Sequence, residues 1–290
     1  MSKFFDESLK SLGSAEPLEN LKVASVPDLG ELAAAALKNP GMDISDSRLE
    51  QCGKIEIPLA GVFRARFQGS ETLEAAEESY RALRTRLFRL RSAQGFRSLV
   101  ITSAVQGEGK TLTSLNLALC CAQLRDMRIL LIDGDIRSNG LTRLIGSSHH
   151  QGLSEVLAGK CDPQMAVLAT DLANLYVLPA GTPSMPPPEL FAGRRWQELI
   201  GWCNESFKLV LVDSPPALNL ADVELITAAC DGVLMVVRAQ QTRRDTLRKS
   251  ASLIDAKKLL GVVYNATAEG SHHRYRYGSE IDSWMGLRGV

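Results

Sequence analysis

Two kinds of apolar pattern run along the chain. Leu73, Ala76, Tyr80, Leu83, Leu87 and Leu90 recur at steps of three and four, which predicts an amphipathic helix over 72–90. Beyond it, short β-branched or wholly apolar runs alternate with longer helical stretches. The runs predict strands at 98–103, 128–133, 175–178, 207–213, 232–237 and 259–264, and the stretches between them predict helices at 111–123, 188–204, 221–229 and 242–256. Near-continuous apolar strands such as LVLV (209–212) and VLMVV (233–237) are what a parallel sheet buried on both faces requires. The alternation implies βαβ crossovers, and so an α/β fold: a doubly wound, mostly parallel sheet with helices on both faces.

The two ends of the chain read differently. Residues 1–70 hold two short helical patterns, near 4–12 and 31–37, among Pro, Gly, Ser and Asp, with Pro27, Pro40 and Pro58 as interruptions. This predicts a poorly packed, partly disordered N-terminal extension, read as a docking segment. The core domain then spans 71–268, and 269–290 forms a polar, mobile tail carrying Tyr275 and Tyr277.

Composition excludes more than it identifies. Hydrophobic residues at 45% and charged residues at 23% are an ordinary globular balance. With 33 basic and 33 acidic residues the formal net charge is zero, which argues against a nucleic-acid partner. The six cysteines show no C-x-x-C spacing and read as reduced core residues. The first residues lack a basic segment followed by an apolar one, and no apolar run reaches the ~20 residues a bilayer span needs. A cytoplasmic protein is expected, with membrane contact made only through a partner.

The chemistry is concentrated at strand ends. Ala104-Val-Gln-Gly-Glu-Gly-Lys110-Thr111 follows a strand and opens a helix, which fits a P-loop with alanine in place of its first glycine. Gly107 and Gly109 let backbone N–H groups turn inward around phosphates, Lys110 neutralises the β- and γ-phosphate oxygens, and Thr111 offers its hydroxyl to Mg²⁺. The following helix adds its positive N-terminal end. The nucleotide contacts of such a loop run through Ala104, Gln106, Gly107, Glu108, Gly109, Lys110, Thr111 and Leu112. Two further strands end in carboxylates, at Asp133 with Asp135 just beyond and at Asp213, and ligands of an open parallel sheet bind beyond such ends. Mg²⁺ takes few protein carboxylates and keeps several waters, which suits Asp133 and Asp213 beside Thr111. Mg-ATP is the expected cofactor.

As a set these motifs resemble the bacterial tyrosine kinases that accompany capsule and exopolysaccharide synthesis. The resemblance rests on GEGKT, LLIDGDIR with Arg137, and VLVDSPP, and continues through GLSEVLAGK (152–160), LYVLPAGTPSMPPPEL (175–190), the Asp222 segment and the strand ending at Asn265. It covers about 72–268. Partition and division-site ATPases of the same fold carry a signature lysine early in the loop, where this chain has Val105, so that reading is disfavoured. Glu78, Arg81 and Arg84 form a polar stripe on the first helix and resemble the E-x-x-R-x-x-R motif through which the family's subunits assemble into rings; a solvated face with an intrahelical ion pair is the plainer reading.

The resemblance implies a tyrosine autokinase. Asp133 would accept the hydroxyl proton and Asp135 would be a second carboxylate in the site, with Asp213 supporting the metal. Arg137 would steady the loop, stabilise charge or lie on the surface, and Asn265 would contact adenine or serve as a plain turn residue. Tyr275 and Tyr277 would be the acceptors, phosphorylated between subunits of a ring-like homo-oligomer; Tyr264 reads as packed at a strand end. The chain resembles the type encoded apart from its transmembrane activator, a polysaccharide co-polymerase whose cytoplasmic end would pack near the nucleotide. A nucleotide-switched scaffold of the same machinery, with weak or absent transfer chemistry, is the alternative.

Overall fold

The computed structural model describes residues 52–55, 70–218 and 221–266. In chain order the elements are β1 (Gly53–Ile55), α1 (Ser70–Gln94), β2 (Ser98–Ser103), α2 (Lys110–Ala122), β3 (Ile129–Asp133), α3 (Gly140–Leu144), α4 (Leu153–Leu157), α5 (Pro163–Ala166) and β4 (Leu168–Thr170). They continue with β5 (Leu175–Leu178), α6 (Pro187–Ala192), α7 (Arg194–Ser206), β6 (Leu209–Asp213), α8 (Asp222–Ala229), β7 (Gly232–Arg238), α9 (Arg244–Ala251) and β8 (Leu259–Asn265). The strands form one sheet in the order β1-β4-β5-β3-β6-β2-β7-β8. Every neighbouring pair is parallel except β4 with β5.

The central strands divide their side chains between two cores. Leu130, Ile132, Val210 and Val212 face one core, which includes Phe191, Trp196, Leu199 and Ile200 from α6 and α7. Ile129, Leu131, Leu209 and Leu211 face the other, which includes Leu87 from α1 and Leu115 from α2. This period-two split is why the strands read as continuous apolar runs: both faces are covered. It also holds the strand ends rigidly, and the polar side chains gather at their carboxyl edge.

Several sequence expectations need correction. The helix expected over 188–204 is two helices, because Gly193 takes an extended conformation (φ −76°, ψ 159°) and breaks the ladder. The break lets Phe191 and Trp196 meet edge to face, 5.2 Å between ring centres, inside the core. The helix expected over 242–256 is only α9. β4 is three residues long, too short for its pattern to register, and the tight connection to β5 enforces antiparallel pairing. Thr170 clamps that connection, its hydroxyl accepting from Leu172 N at 3.1 Å and donating to Leu175 O at 2.9 Å.

The N-terminal extension also contributes structure where none was expected: β1 pairs with β4 at the sheet edge, and Cys52 packs into the core beside it. The helical patterns near 4–12 and 31–37, and the tail tyrosines Tyr275 and Tyr277, lie outside the described residues. Tyr264, expected to be packed, is 46% exposed. All six cysteines are free thiols, as the reading of reduced core residues requires, with Cys161 alone not fully buried. No helix among the described residues is long and apolar enough to cross a membrane.

Candidate active site

The loop between β2 and α2 turns through two left-handed glycines, Gly107 (φ 87°) and Gly109 (φ 93°). A Cβ at Gly109 would also collide with the side-chain amide of Asn265, so this position is closed to any other residue on two counts. Lys110 then opens α2, and the helix's unpaired N–H groups face the loop. Ala104 is fully buried, whereas Val105 lies exposed at the lip of the loop.

The loop is braced from outside itself. Glu108 is almost fully buried and accepts from Val105 N at 2.8 Å and from the Thr242 hydroxyl. Asn265, at the end of β8, donates from Nδ2 to Glu108 O at 2.8 Å, and Arg238 donates to Gly107 O at 3.3 Å. The sequence pattern places Glu108 among the nucleotide contacts, whereas its side chain is turned to Val105 N and Thr242. Its partner Thr242 is 134 residues away, and no local signal announces it.

The acidic strand ends converge as expected. Lys110 Nζ lies 2.8 Å from Asp135 Oδ2, a buried ion pair. Burial lowers the Lys110 ammonium's pKa, but Asp213, Asp135 and Asp133 together outweigh it and hold the group charged. Burial likewise pushes the Asp135 carboxyl up, yet Lys110 and hydrogen bonds from Ser138 leave it below the usual carboxylate range. Asp213 is fully buried beside α2 and accepts from Ser114 Oγ at 3.0 Å and from Thr111. Asp133 accepts from Thr142 N at 2.8 Å and Thr142 Oγ1 at 2.6 Å, both on Oδ2. Desolvation raises Asp133 to about 6 and Asp213 to about 7.

Gly134 sits between the two strand ends, where its N–H donates to Asp213 O at 2.7 Å and a Cβ would be forced within 2.9 Å of that same oxygen. Arg137 grips Asp222 at the start of α8, with Nε to Oδ2 at 2.8 Å and an NH group to Oδ1 at 3.3 Å. Arg137 is itself exposed, so it lies on the surface while tying the segment after β3 to α8.

Whether these residues suit a divalent cation can be tested on the donors. Asp213 Oδ2 is a buried oxygen without a hydrogen-bond partner, the kind of atom a cation or its bound water satisfies, and Asp133 Oδ1 is likewise without a partner. No group of three or more His, Cys, Asp or Glu able to hold a metal occurs among the described residues. A site of few carboxylates and one hydroxyl suits Mg²⁺ held mainly by phosphate and water, so the residues fit the ion.

Comparison with known proteins agrees with this geometry. A family model described as an AAA domain matches residues 97–258, from the start of β2 almost to β8. The chain is 31% identical over 210 residues to tyrosine-protein kinase YwqD of Bacillus subtilis, a match covering 72% of this chain and 88% of that protein. This chain belongs to the bacterial tyrosine-protein kinases.

Tyrosine-protein kinase CpsD of Streptococcus pneumoniae is also similar, at 31% identity over 198 residues covering 67% of this kinase and 86% of CpsD. Against tyrosine-protein kinase wzc of Salmonella typhi, at 33% identity over 72% of the chain, this kinase spans only 30% of the relative's length. Among solved structures, the kinase domain of Escherichia coli tyrosine kinase ETK superposes with a TM-score of 0.65 at 27% identity, over 81% of this chain and 98% of that domain. The chimerical protein CapA2B2 gives a TM-score of 0.61 at 28% identity, over 76% of this chain and 96% of that one. The shared fold and loop make this chain a nucleotide-binding kinase.

The structure brings the P-loop, Asp133, Asp135, Asp213 and Asn265 together. It places the first-helix stripe elsewhere. Arg81 pairs with Glu77 and Glu78 on its own helix, at 3.2 Å and 3.3 Å, and Arg84 donates to Cys120 O of α2 at 2.6 Å.

Proposed function

We propose that the protein is an ATP-dependent tyrosine autokinase that phosphorylates Tyr275 and Tyr277 of neighbouring copies and regulates exopolysaccharide or capsule synthesis and export. The observation that carries the reading is the convergence of Lys110, Asp133, Asp135 and Asp213 at one carboxyl edge of the sheet, directly beside the phosphate loop.

Phosphoryl transfer asks for placed phosphates and charge neutralisation more than for covalent help. The loop N–H groups and Lys110 would hold the β- and γ-phosphates, with Lys110 leaving Asp135 as phosphate arrives. Thr111 and Asp213 would hold Mg²⁺, Asp213 directly or through water, and the bound ion would draw charge from the transferring oxygens. Asp133 would accept the tyrosine proton through Oδ1, the oxygen its neighbours leave unpartnered. A carboxylate beside a phenol of pKa ~10 assists as the proton leaves, without full prior ionisation. Asn265 donates to Glu108 O at the rim of the loop and would contact the adenine base from there.

The partners are further copies of the chain, in a ring-like assembly using Glu78, Arg81 and Arg84, and a transmembrane activator that recruits the cytoplasmic kinase to the inner face of the plasma membrane. That wzc continues well beyond the kinase region supports the second of these.

The test is incubation of the full chain with Mg²⁺ and γ-labelled ATP. Label is expected on tyrosine and absent in Lys110→Met. ATP bound without any transferred label, with an activator's cytoplasmic fragment present, would overturn the reading in favour of a nucleotide-switched scaffold.

A further inference from the structure

We propose that Thr142 is a positioning residue that selects which oxygen of Asp133 takes the tyrosine proton; this rests on the kinase reading above. Asp133 is fully buried, and both of its hydrogen bonds fall on one atom. The N–H and the hydroxyl of Thr142 reach Oδ2 at 2.8 Å and 2.6 Å, while Oδ1 has no partner. A carboxylate held this way cannot turn over without breaking two bonds at once.

The hydroxyl is itself oriented. Thr142 Oγ1 accepts from Ala180 N at 2.8 Å, so its single proton is committed to Asp133 Oδ2. Both ends of this relay are anchored. Ser147 N donates to Thr142 O at 3.0 Å, and Ser154 Oγ donates to Ala180 O at 2.6 Å. Thr142 is buried with Asp133, so water does not compete for these bonds. A misplaced reacting group loses rate steeply, so holding the base in one orientation contributes to catalysis.

In the transfer step the tyrosine oxygen bonds to the γ-phosphorus as the bond from that phosphorus to the ADP oxygen breaks. The phenolic proton passes to Asp133 Oδ1, and Asp133 later releases it to solvent. Thr142 keeps its own proton throughout and touches no reacting atom.

The experiment compares Thr142→Val, Thr142→Ser and Thr142→Ala in the full chain, in wild-type and Asp133→Asn backgrounds. It measures initial rates of tyrosine labelling, the KM for ATP and thermal unfolding with and without ADP. Thr142→Val is expected to lower kcat about 10- to 100-fold, part of the ~10²- to 10⁴-fold a general base contributes, while KM for ATP stays within about threefold. Thr142→Ser is expected to restore the rate to within about threefold, and Thr142→Val to have no further effect when Asp133 is Asn. Thr142→Ala, which removes the hydroxyl without putting an apolar methyl against Asp133, carries the same expectation and serves if Thr142→Val does not fold. An unchanged kcat in a folded Thr142→Val or Thr142→Ala protein overturns the proposal. So does an equal loss in the Asp133→Asn background. A wild-type protein that binds ATP and labels no tyrosine overturns the kinase reading itself.

Discussion

Asp133 and Asp213 are register partners on the last rung between β3 and β6, fully buried side by side, and each keeps one oxygen without a hydrogen-bond partner. Two neighbouring carboxylates in a dry site disfavour each other's charge, and burial adds to the same effect. The arrangement is unfavourable for the empty protein and suited to one that binds a cation and a phosphate chain.

The pH dependence of stability follows from this pair. Burial lifts Asp133 to about 6 and Asp213 to about 7 from an ordinary carboxyl value of 3.8. Between roughly pH 4 and 7 the folded protein therefore holds protons that the unfolded chain has released. The nucleotide-free, metal-free protein should lose stability as pH rises through that window, and its affinity for Mg²⁺ should rise as the competing proton leaves. Asp213→Asn should stabilise the metal-free protein above pH 7, by about 1 kcal/mol, while abolishing the extra stabilisation by Mg-ADP over ADP. Thermal unfolding from pH 5 to 8, with and without Mg²⁺, measures both; flat stability with unchanged Mg²⁺ linkage in Asp213→Asn contradicts them.

Glu108 provides a second check because it braces the loop without touching Lys110. Glu108→Ala removes the acceptor for Val105 N–H and for the Thr242 hydroxyl. Stability should fall by about 1 kcal/mol, the net contribution of a typical hydrogen bond, since Val105 and Thr242 are both reached by water. Nucleotide affinity should fall about tenfold through loosening of the loop. Calorimetric titration with ADP reads the affinity, and wild-type affinity in a folded Glu108→Ala protein would show that the brace is dispensable.

Arg81 and Arg84 should separate, although a single motif suggests they act together. Arg84 is a tie between α1 and α2, so Arg84→Ala should cost about 1.5–3 kcal/mol even in a monomer. Arg81 makes only half-exposed intrahelical pairs, so Arg81→Ala should cost less than about 0.5 kcal/mol and act, if at all, on assembly. Denaturant melts paired with light scattering on each variant resolve the two; equal stability losses would contradict this division.

The sheet was legible because its central strands are buried on both faces, and an apolar run such as ILLID at β3 has no alternative environment. The P-loop was legible because its glycines and lysine are local. What sequence could not show was contact across distance. Thr142, nine residues beyond Asp133, looks like any helix threonine until the chain folds its hydroxyl onto the carboxylate. Thr242 and Arg238 reach the loop from the end of β7, the strand beside β2 in the sheet but more than 120 residues on in the chain. The three-residue strands β1 and β4 are too short to print a period, and Gly193 breaks a helix whose apolar spacing continues across it.

Transfer between copies is the central claim, and a mixing experiment tests it most directly. Tyr275→Phe/Tyr277→Phe protein, able to transfer but lacking acceptors, is combined with Lys110→Met protein, able to accept but not to transfer, and supplied with Mg²⁺ and γ-labelled ATP. Label is expected on Tyr275 and Tyr277 of the Lys110→Met chains and on neither protein's exposed Tyr264. No label on the Lys110→Met chains, under conditions where wild-type protein labels itself, would contradict transfer between subunits.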